Sequence, residues 1–65
     1  MDAARHLVRT GQLRRCTPGA LILSVVEVDG PLTTAEVVAA PDLPVGSLLR
    51  FWTADVASMD LDPAA

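Results

Sequence analysis

Cys16 is the residue whose type and neighbours come nearest to covalent chemistry in this sequence. It directly follows Arg14 and Arg15, and nearby cationic groups favour the nucleophilic thiolate form of a cysteine. A catalytic cysteine also needs a base. His6 is the only histidine present, and no third residue that would orient it is recognisable. A structural cysteine that is buried or half-buried is therefore the favoured interpretation, with a reactive thiol at Cys16 as the alternative.

The remaining polar residues do not form a catalytic or metal-binding pattern. One cysteine and one histidine are too few for a structural zinc site, which normally has four such ligands. Asp55, Asp60 and Asp62 lack the alternate spacing and the glycine of a calcium loop. Neither a glycine-rich phosphate loop nor a paired-carboxylate motif can be found. We therefore predict that the protein is not an enzyme and has no catalytic residues, metal or cofactor.

Leu48, Arg50 and Trp52 form the most suggestive contact group. They alternate along a predicted strand, so their side chains share one face. Tryptophan and arginine are the residue types enriched at binding hot spots. Because Trp52 follows Phe51, one aromatic ring faces the core and the other faces out, and the sequence leaves open which. With Trp52 outward, this face is predicted to contact another protein.

The charges divide the chain into a basic first part and an acidic remainder. In residues 1–15 four arginines against Asp2 give a net charge of +3, while in residues 16–65 seven carboxylates against Arg50 give −6. Within the basic part, Arg14 and Arg15 are predicted as further contact residues. Nucleic-acid binding through the N-terminal arginines is a weak alternative, because the acidic remainder repels phosphate. Nucleic acid is therefore not the expected partner.

Length and composition favour a protein that does not act alone. A single domain of 65 residues buries only about 60% of the surface that its unfolded chain exposes. One cysteine cannot form an internal disulfide, and with 3% aromatic residues the core must be built from small aliphatic side chains. Because 51% of the residues are nonetheless hydrophobic, we expect a protein partner or a homo-oligomer.

Residues 20–28, with the sequence ALILSVVEV, are the strongest structural element. A short apolar run that is rich in β-branched residues and bounded by turn residues is typical of a buried strand. Its first half is apolar on both faces, which indicates a central strand covered on both sides or a strand that curls into a small barrel.

The flanking segments predict short strands and turns. Residues 2–9 fit a short helix, with a first strand or a mobile arm as alternatives, and residues 12–17 fit an edge strand. Pro18-Gly19 is a predicted turn. After Asp29-Gly30, Pro31 favours a connection wider than two residues, because we place this proline at the fourth turn position, where it cannot donate a hydrogen bond.

The second half of the chain leaves one assignment open. Residues 32–40 fit a strand better than a helix, because they contain a pair of threonines and a pair of valines, which are β-branched. A loop with two prolines precedes a strand at residues 47–54. We therefore predict a mainly β fold: a small antiparallel partial barrel or curled sheet of three to four strands, with a possible short N-terminal helix. The predicted units are a basic arm or helix (1–15), a β-rich core (16–54) and an acidic tail (55–65).

Four short motifs resemble those of the small β-barrel chaperones of hydrogenase maturation: Cys16-x-Pro18-Gly19, Val28-Asp29-Gly30, Val45-Gly46 and Leu61-Asp62-Pro63-Ala64. The resemblance implies a maturation chaperone or thiol-dependent carrier acting through Cys16. In that family the cysteine directly follows the initiator methionine, whereas Cys16 lies well inside this chain, and Trp52 stands near the position of a family histidine.

The leading functional hypothesis is a small accessory or structural subunit that works by protein–protein assembly. A virion component or the companion subunit of a larger complex both fit, and the exclusive use of arginine as basic residue indicates a GC-rich bacterial or phage gene. The sequence contains no apolar run of about 18 residues and no secretory signal. We therefore expect the protein in the cytoplasm, or in a virion assembled there, and not in a membrane.

Overall fold

The computed structural model describes residues 8–16 and 19–62. Within these residues the chain forms five antiparallel strands in one sheet and one short helix. The elements in chain order are β1 (Leu13–Cys16), β2 (Leu21–Asp29), β3 (Leu32–Ala39), β4 (Leu48–Trp52), α1 (Thr53–Ala57) and β5 (Asp60–Leu61). The prediction of a mainly β, curled sheet is confirmed. The strand count is one higher than predicted, and most of the predicted N-terminal helix lies outside the described residues.

The sheet has the strand order β4-β3-β2-β1-β5, so β4 and β5 form its two edges. Only residues 53–59 separate these two strands along the chain, and much of this segment is helical. At helical rise it spans about 12 Å, less than the roughly 19 Å across five flat strands. The sheet must therefore curl to bring its edges together. It does not close into a barrel, because β4 and β5 do not pair with each other.

Strand β2 lies at the centre of the sheet, as its composition predicts. It pairs with β1 on one side and with β3 on the other. Leu23 and Val25 face the concave interior and are fully buried, whereas Val26 on the outer face is 43% exposed. The outer face of β2 is thus only partly covered by the described residues.

The turn between β2 and β3 is tighter than the sequence suggested. Asp29 pairs directly with Leu32, so Gly30 and Pro31 form a two-residue loop. The predicted wider connection is therefore wrong, because Pro31 occupies the third turn position and the fourth, Leu32, retains its N–H. Gly30 has a φ of +57°. A positive φ followed by proline's fixed negative φ matches a type II′ hairpin turn.

Strand β3 settles the assignment of residues 32–40 as extended. It continues the hairpin from β2 and then pairs with β4. The predicted strand at 47–54 is real but shorter, because Thr53 and Ala54 already belong to α1. Within the predicted acidic tail, residues 55–62 complete α1 and add β5 to the edge of β1.

Two clusters of buried side chains form the core. One contains Val8, Val25 and Val56, and the other contains Leu23, Ala35 and Val37. Phe51 packs against both clusters. The helix therefore folds over one end of the curled sheet through Val56, and the inward side of β4 is held in place by Phe51.

A pair of buried threonines ties the end of β4 to the β2–β3 turn. The Thr53 hydroxyl donates to the Gly30 carbonyl at 2.8 Å and lies 2.8 Å from the Thr33 hydroxyl. Because a hydroxyl carries one proton, Thr33 must be the donor in the second bond. The Thr53 N–H also donates to the Pro31 carbonyl at 2.7 Å. These bonds set where Trp52 leaves the sheet.

Ala20, at the start of β2, adopts a left-handed conformation with a φ of +55°. Replacing Ala20 with glycine should raise the free energy of unfolding by about 0.5–1 kcal/mol, because relief of left-handed strain exceeds the entropic cost of glycine. Urea denaturation followed by circular dichroism measures the change. Ala54→Gly is the matched control, since Ala54 is exposed but lies in α1; that substitution should destabilise by about 1 kcal/mol. Equal effects of both changes would contradict the assigned conformation.

Candidate functional site

Strand β4 presents an apolar and cationic face on the edge of the sheet. Among the described strands it pairs only with β3. Leu49 and Phe51 face inward, whereas Leu48 and Trp52 are 64% and 62% exposed and Arg50 is exposed between them. The structure therefore places Phe51 in the core and Trp52 on the outside. We call Leu48, Arg50 and Trp52 the β4 outer face.

The same three residues direct their backbone groups to the unpaired edge. The Thr53 N–H bonds the Pro31 carbonyl, and the Val37 N–H bonds the Ser47 carbonyl at 2.9 Å. Hydrogen-bonded positions alternate in an antiparallel ladder, so Leu49 and Phe51 between these bonds also face β3. The N–H and C=O groups of Leu48, Arg50 and Trp52 consequently point away from β3. The residues of the β4 outer face therefore present both exposed side chains and outward-pointing backbone groups.

Arg50 lies between apolar neighbours and is not engaged by a carboxylate. Its cross-strand partner on β3 is Thr34, while Leu48 lies opposite Glu36 and Trp52 opposite Leu32. Within the described residues Arg50 makes no ion pair. Its guanidinium is therefore available to a group outside the sheet.

Arg14, predicted as a contact residue, lies in the interior. It is 1% exposed, and its guanidinium donates to the Met59 carbonyl at 3.0 Å and to Gln12 Oε1 at 2.9 Å. Burial lowers the pKa of Arg14, but an arginine remains charged near neutral pH. Arg14 therefore connects β1 to the segment before β5, and we do not include it in a contact surface.

Arg15 is on the opposite face of β1 and half-exposed. Its guanidinium lies 3.4 Å from a carboxylate oxygen of Asp62, whose side chain is 8% exposed. The Asp62 N–H also donates to the Leu13 carbonyl at 2.9 Å, which extends the pairing of β1 with β5. Arg15 is thus accessible, but its charge is shared with Asp62.

Cys16 lies at the end of β1 between two shallow clefts. The larger, of about 280 Å³, is lined by Arg15, Cys16, Asp55, Ser58, Met59 and Asp60. The smaller, of about 190 Å³, is mostly apolar and is lined by Cys16, Gly19, Leu21, Ala40, Pro41, Asp42 and Leu43. The thiol is half-buried. His6 lies outside the described residues, so its proposed pairing with Cys16 stays a prediction.

Residues 8–16 and 19–62 contain neither a metal-binding cluster nor a membrane-spanning helix. They contain no group of three or more His, Cys, Asp or Glu side chains that could hold a metal ion. None of their helices is both long and apolar enough to cross a membrane.

Comparisons with protein-family models, curated proteins and solved structures find no match. The resemblance to the hydrogenase-maturation chaperones therefore stays a prediction that rests on short motifs. The β4 outer face and Cys16 are therefore the two features from which we infer a function. The sequence indicated the side chains of that face, but it did not reveal that their backbone groups line a free edge, because this depends on strand order.

Proposed function

We propose that this chain is a non-enzymatic accessory or structural subunit that works by protein–protein assembly through β4. The observation that carries the proposal is that Leu48 and Trp52 are almost two-thirds exposed on an unpaired strand edge. Exposed edges are prone to pair with further strands, and proteins usually protect them with charge, bulges or covering elements. Here the edge carries a single charge, Arg50, with a large apolar side chain exposed on either side of it.

The β4 edge offers two terms that favour a contact: burial of its apolar side chains and hydrogen bonds to its backbone. Burying a large apolar side chain contributes about 1.5–3 kcal/mol, and each edge hydrogen bond adds about 1 kcal/mol net. A standard interface covers about 800 Å² on each partner. That is roughly a fifth of the 4252 Å² surface of this molecule. A partner strand along β4 with contacts to neighbouring side chains would fill such an area.

The test is the native size of the chain in the cells that produce it. A tagged genomic copy is compared with a Leu48→Thr, Trp52→Thr double variant by size-exclusion chromatography of a gentle lysate. We expect the natural chain to elute within a larger complex and the variant to elute at the size of the single chain. Threonine favours strands, so the fold should persist, and circular dichroism of both purified proteins checks this. Elution of the natural chain as a free monomer would contradict the proposal.

A thiol-dependent carrier acting through Cys16 is the second candidate, supported by the position of Cys16 between two clefts. The two functions differ in their response to Cys16→Ser, which removes the thiol with little change in volume. Assembly through β4 predicts that the variant still elutes in the larger complex. Loss of the complex on this single change, with the fold intact, would favour the carrier.

A further inference from the structure

We propose that the β4 edge accepts an extended segment of another protein. In this segment one residue has a carboxylate side chain, and the residues two positions before and two positions after it are apolar. The occupant is thus a strand of opposite charge and not a second copy of this chain. This inference rests on the proposed function and adds the chemistry of the partner. It follows from Arg50 at the centre of the β4 outer face.

A second copy fits the edge poorly because of that arginine. In the antiparallel register with most overlap, Leu48 of one copy lies opposite Trp52 of the other, and the two Arg50 side chains lie opposite each other. Like charges directly opposite across a strand pair are destabilising. A shift of two residues avoids this contact but reduces the paired edge-facing positions from three to two. Pairing with a second copy therefore either places two Arg50 side chains opposite each other or forms fewer hydrogen bonds.

A partner strand with a carboxylate opposite Arg50 avoids the repulsion between two Arg50 side chains. Arg50 is exposed and has no ion pair within the described residues. A partner side chain directly across a strand pair lies about 5 Å away between Cβ atoms, within reach of a guanidinium–carboxylate hydrogen bond. Its neighbours two residues away meet Leu48 and Trp52, which favours apolar groups at those positions. Arg50 is the only basic residue among residues 16–65, so it is the group on β4 that attracts a carboxylate.

The chain itself supplies a defined probe for this chemistry. The Arg50→Glu variant presents a carboxylate between Leu48 and Trp52, which is the partner strand that we propose. We expect the natural protein and the variant each to sediment as a monomer, and an equimolar mixture to form a one-to-one dimer. The mixed association should be about tenfold tighter than either self-association, because a like-charged pair becomes an opposite one.

Arg9→Glu is the matched charge control. Arg9 is exposed and precedes β1, a strand that does not pair with β4. Either substitution changes the net charge from −3 to −5, since a positive side chain becomes negative. The Arg9→Glu variant should not associate with the natural protein. Adding Trp52→Thr to the Arg50→Glu chain, or raising the salt concentration, should weaken the mixed dimer.

The outcomes separate this inference from the proposed function. A natural protein that dimerises alone through Trp52 would overturn the opposite-charge partner while leaving assembly through β4 intact. No association in the mixture would also overturn the inference, and the native-size experiment would then decide independently whether β4 has any partner. Equal association of the Arg9→Glu and Arg50→Glu variants with the natural protein would show that Arg50 is not the determinant.

Discussion

Replacing Arg14 with alanine should lower the free energy of unfolding by about 3 kcal/mol or more, as estimated from large-to-small substitutions at buried sites. A domain of 65 residues has a total stability of only about 3–10 kcal/mol. We therefore expect the Arg14→Ala protein to be largely unfolded at moderate temperature. Thermal and urea denaturation followed by circular dichroism measure the effect.

The physical reason is that Arg14 is both a core side chain and a donor. At 1% exposure it fills volume inside the curled sheet, and it satisfies the Met59 carbonyl and the Gln12 amide oxygen. Alanine leaves a cavity and removes the donor from both acceptors. The contact with Met59 also connects β1 to the segment that leads into β5, so its loss loosens the sheet edge.

Two further substitutions keep this prediction testable if the alanine variant does not fold. Arg14→Met retains much of the volume but no donor, so it should recover roughly half of the lost stability. Arg15→Ala, the neighbouring control, removes a half-exposed ion pair and should cost less than about 1 kcal/mol. Comparable losses at positions 14 and 15 would refute the buried role of Arg14.

Replacing Thr53 with valine should cost about 2 kcal/mol of stability, although the two side chains have nearly the same shape. The Thr53 hydroxyl donates to the Gly30 carbonyl and accepts from the fully buried Thr33 hydroxyl. Valine does neither, which leaves Thr33 with a buried donor and no acceptor. Urea denaturation at neutral pH gives the change in free energy.

The controls follow from counting donors. Thr33→Val removes the hydroxyl that donates to Thr53 and leaves the Thr53–Gly30 bond intact. It should therefore lower the free energy of unfolding by about 1 kcal/mol less than Thr53→Val does. The double variant should cost no more than Thr53→Val alone, because it also removes the stranded hydroxyl. Thr53→Ser keeps the hydroxyl and should be the mildest change. Additive losses in the double variant would contradict the hydrogen bond between the two hydroxyls.

Local patterns were sufficient for the strands that are long or strongly β-branched. The apolar run that became β2 and the paired threonines and valines of β3 were predicted as strands, because their β-branched side chains favour extended backbone. Edge strand β5 has only two residues, Asp60 and Leu61, and carries no such pattern. It forms because α1 places it beside the edge of β1 that β2 leaves unpaired, and this depends on tertiary contacts.

The candidate site was predicted in part for the same reason. Alternation placed Leu48, Arg50 and Trp52 on one face, but it could not decide whether Trp52 or Phe51 faced the core. The structure decides this because Phe51 contacts both buried clusters. Arg14 shows the reverse case, since its charge suggested a surface position and the acceptors that bury it come from distant parts of the chain.

By itself, the sequence determined the β character, the central strand and which side chains share the β4 outer face, because each follows from local alternation and composition. Only the tertiary structure decided the strand order, and with it the free edge of β4, the burial of Arg14 and the outward position of Trp52. These depend on which distant segments meet. Among the described strands β4 pairs only with β3, and this is the reason we propose that a partner strand completes the sheet.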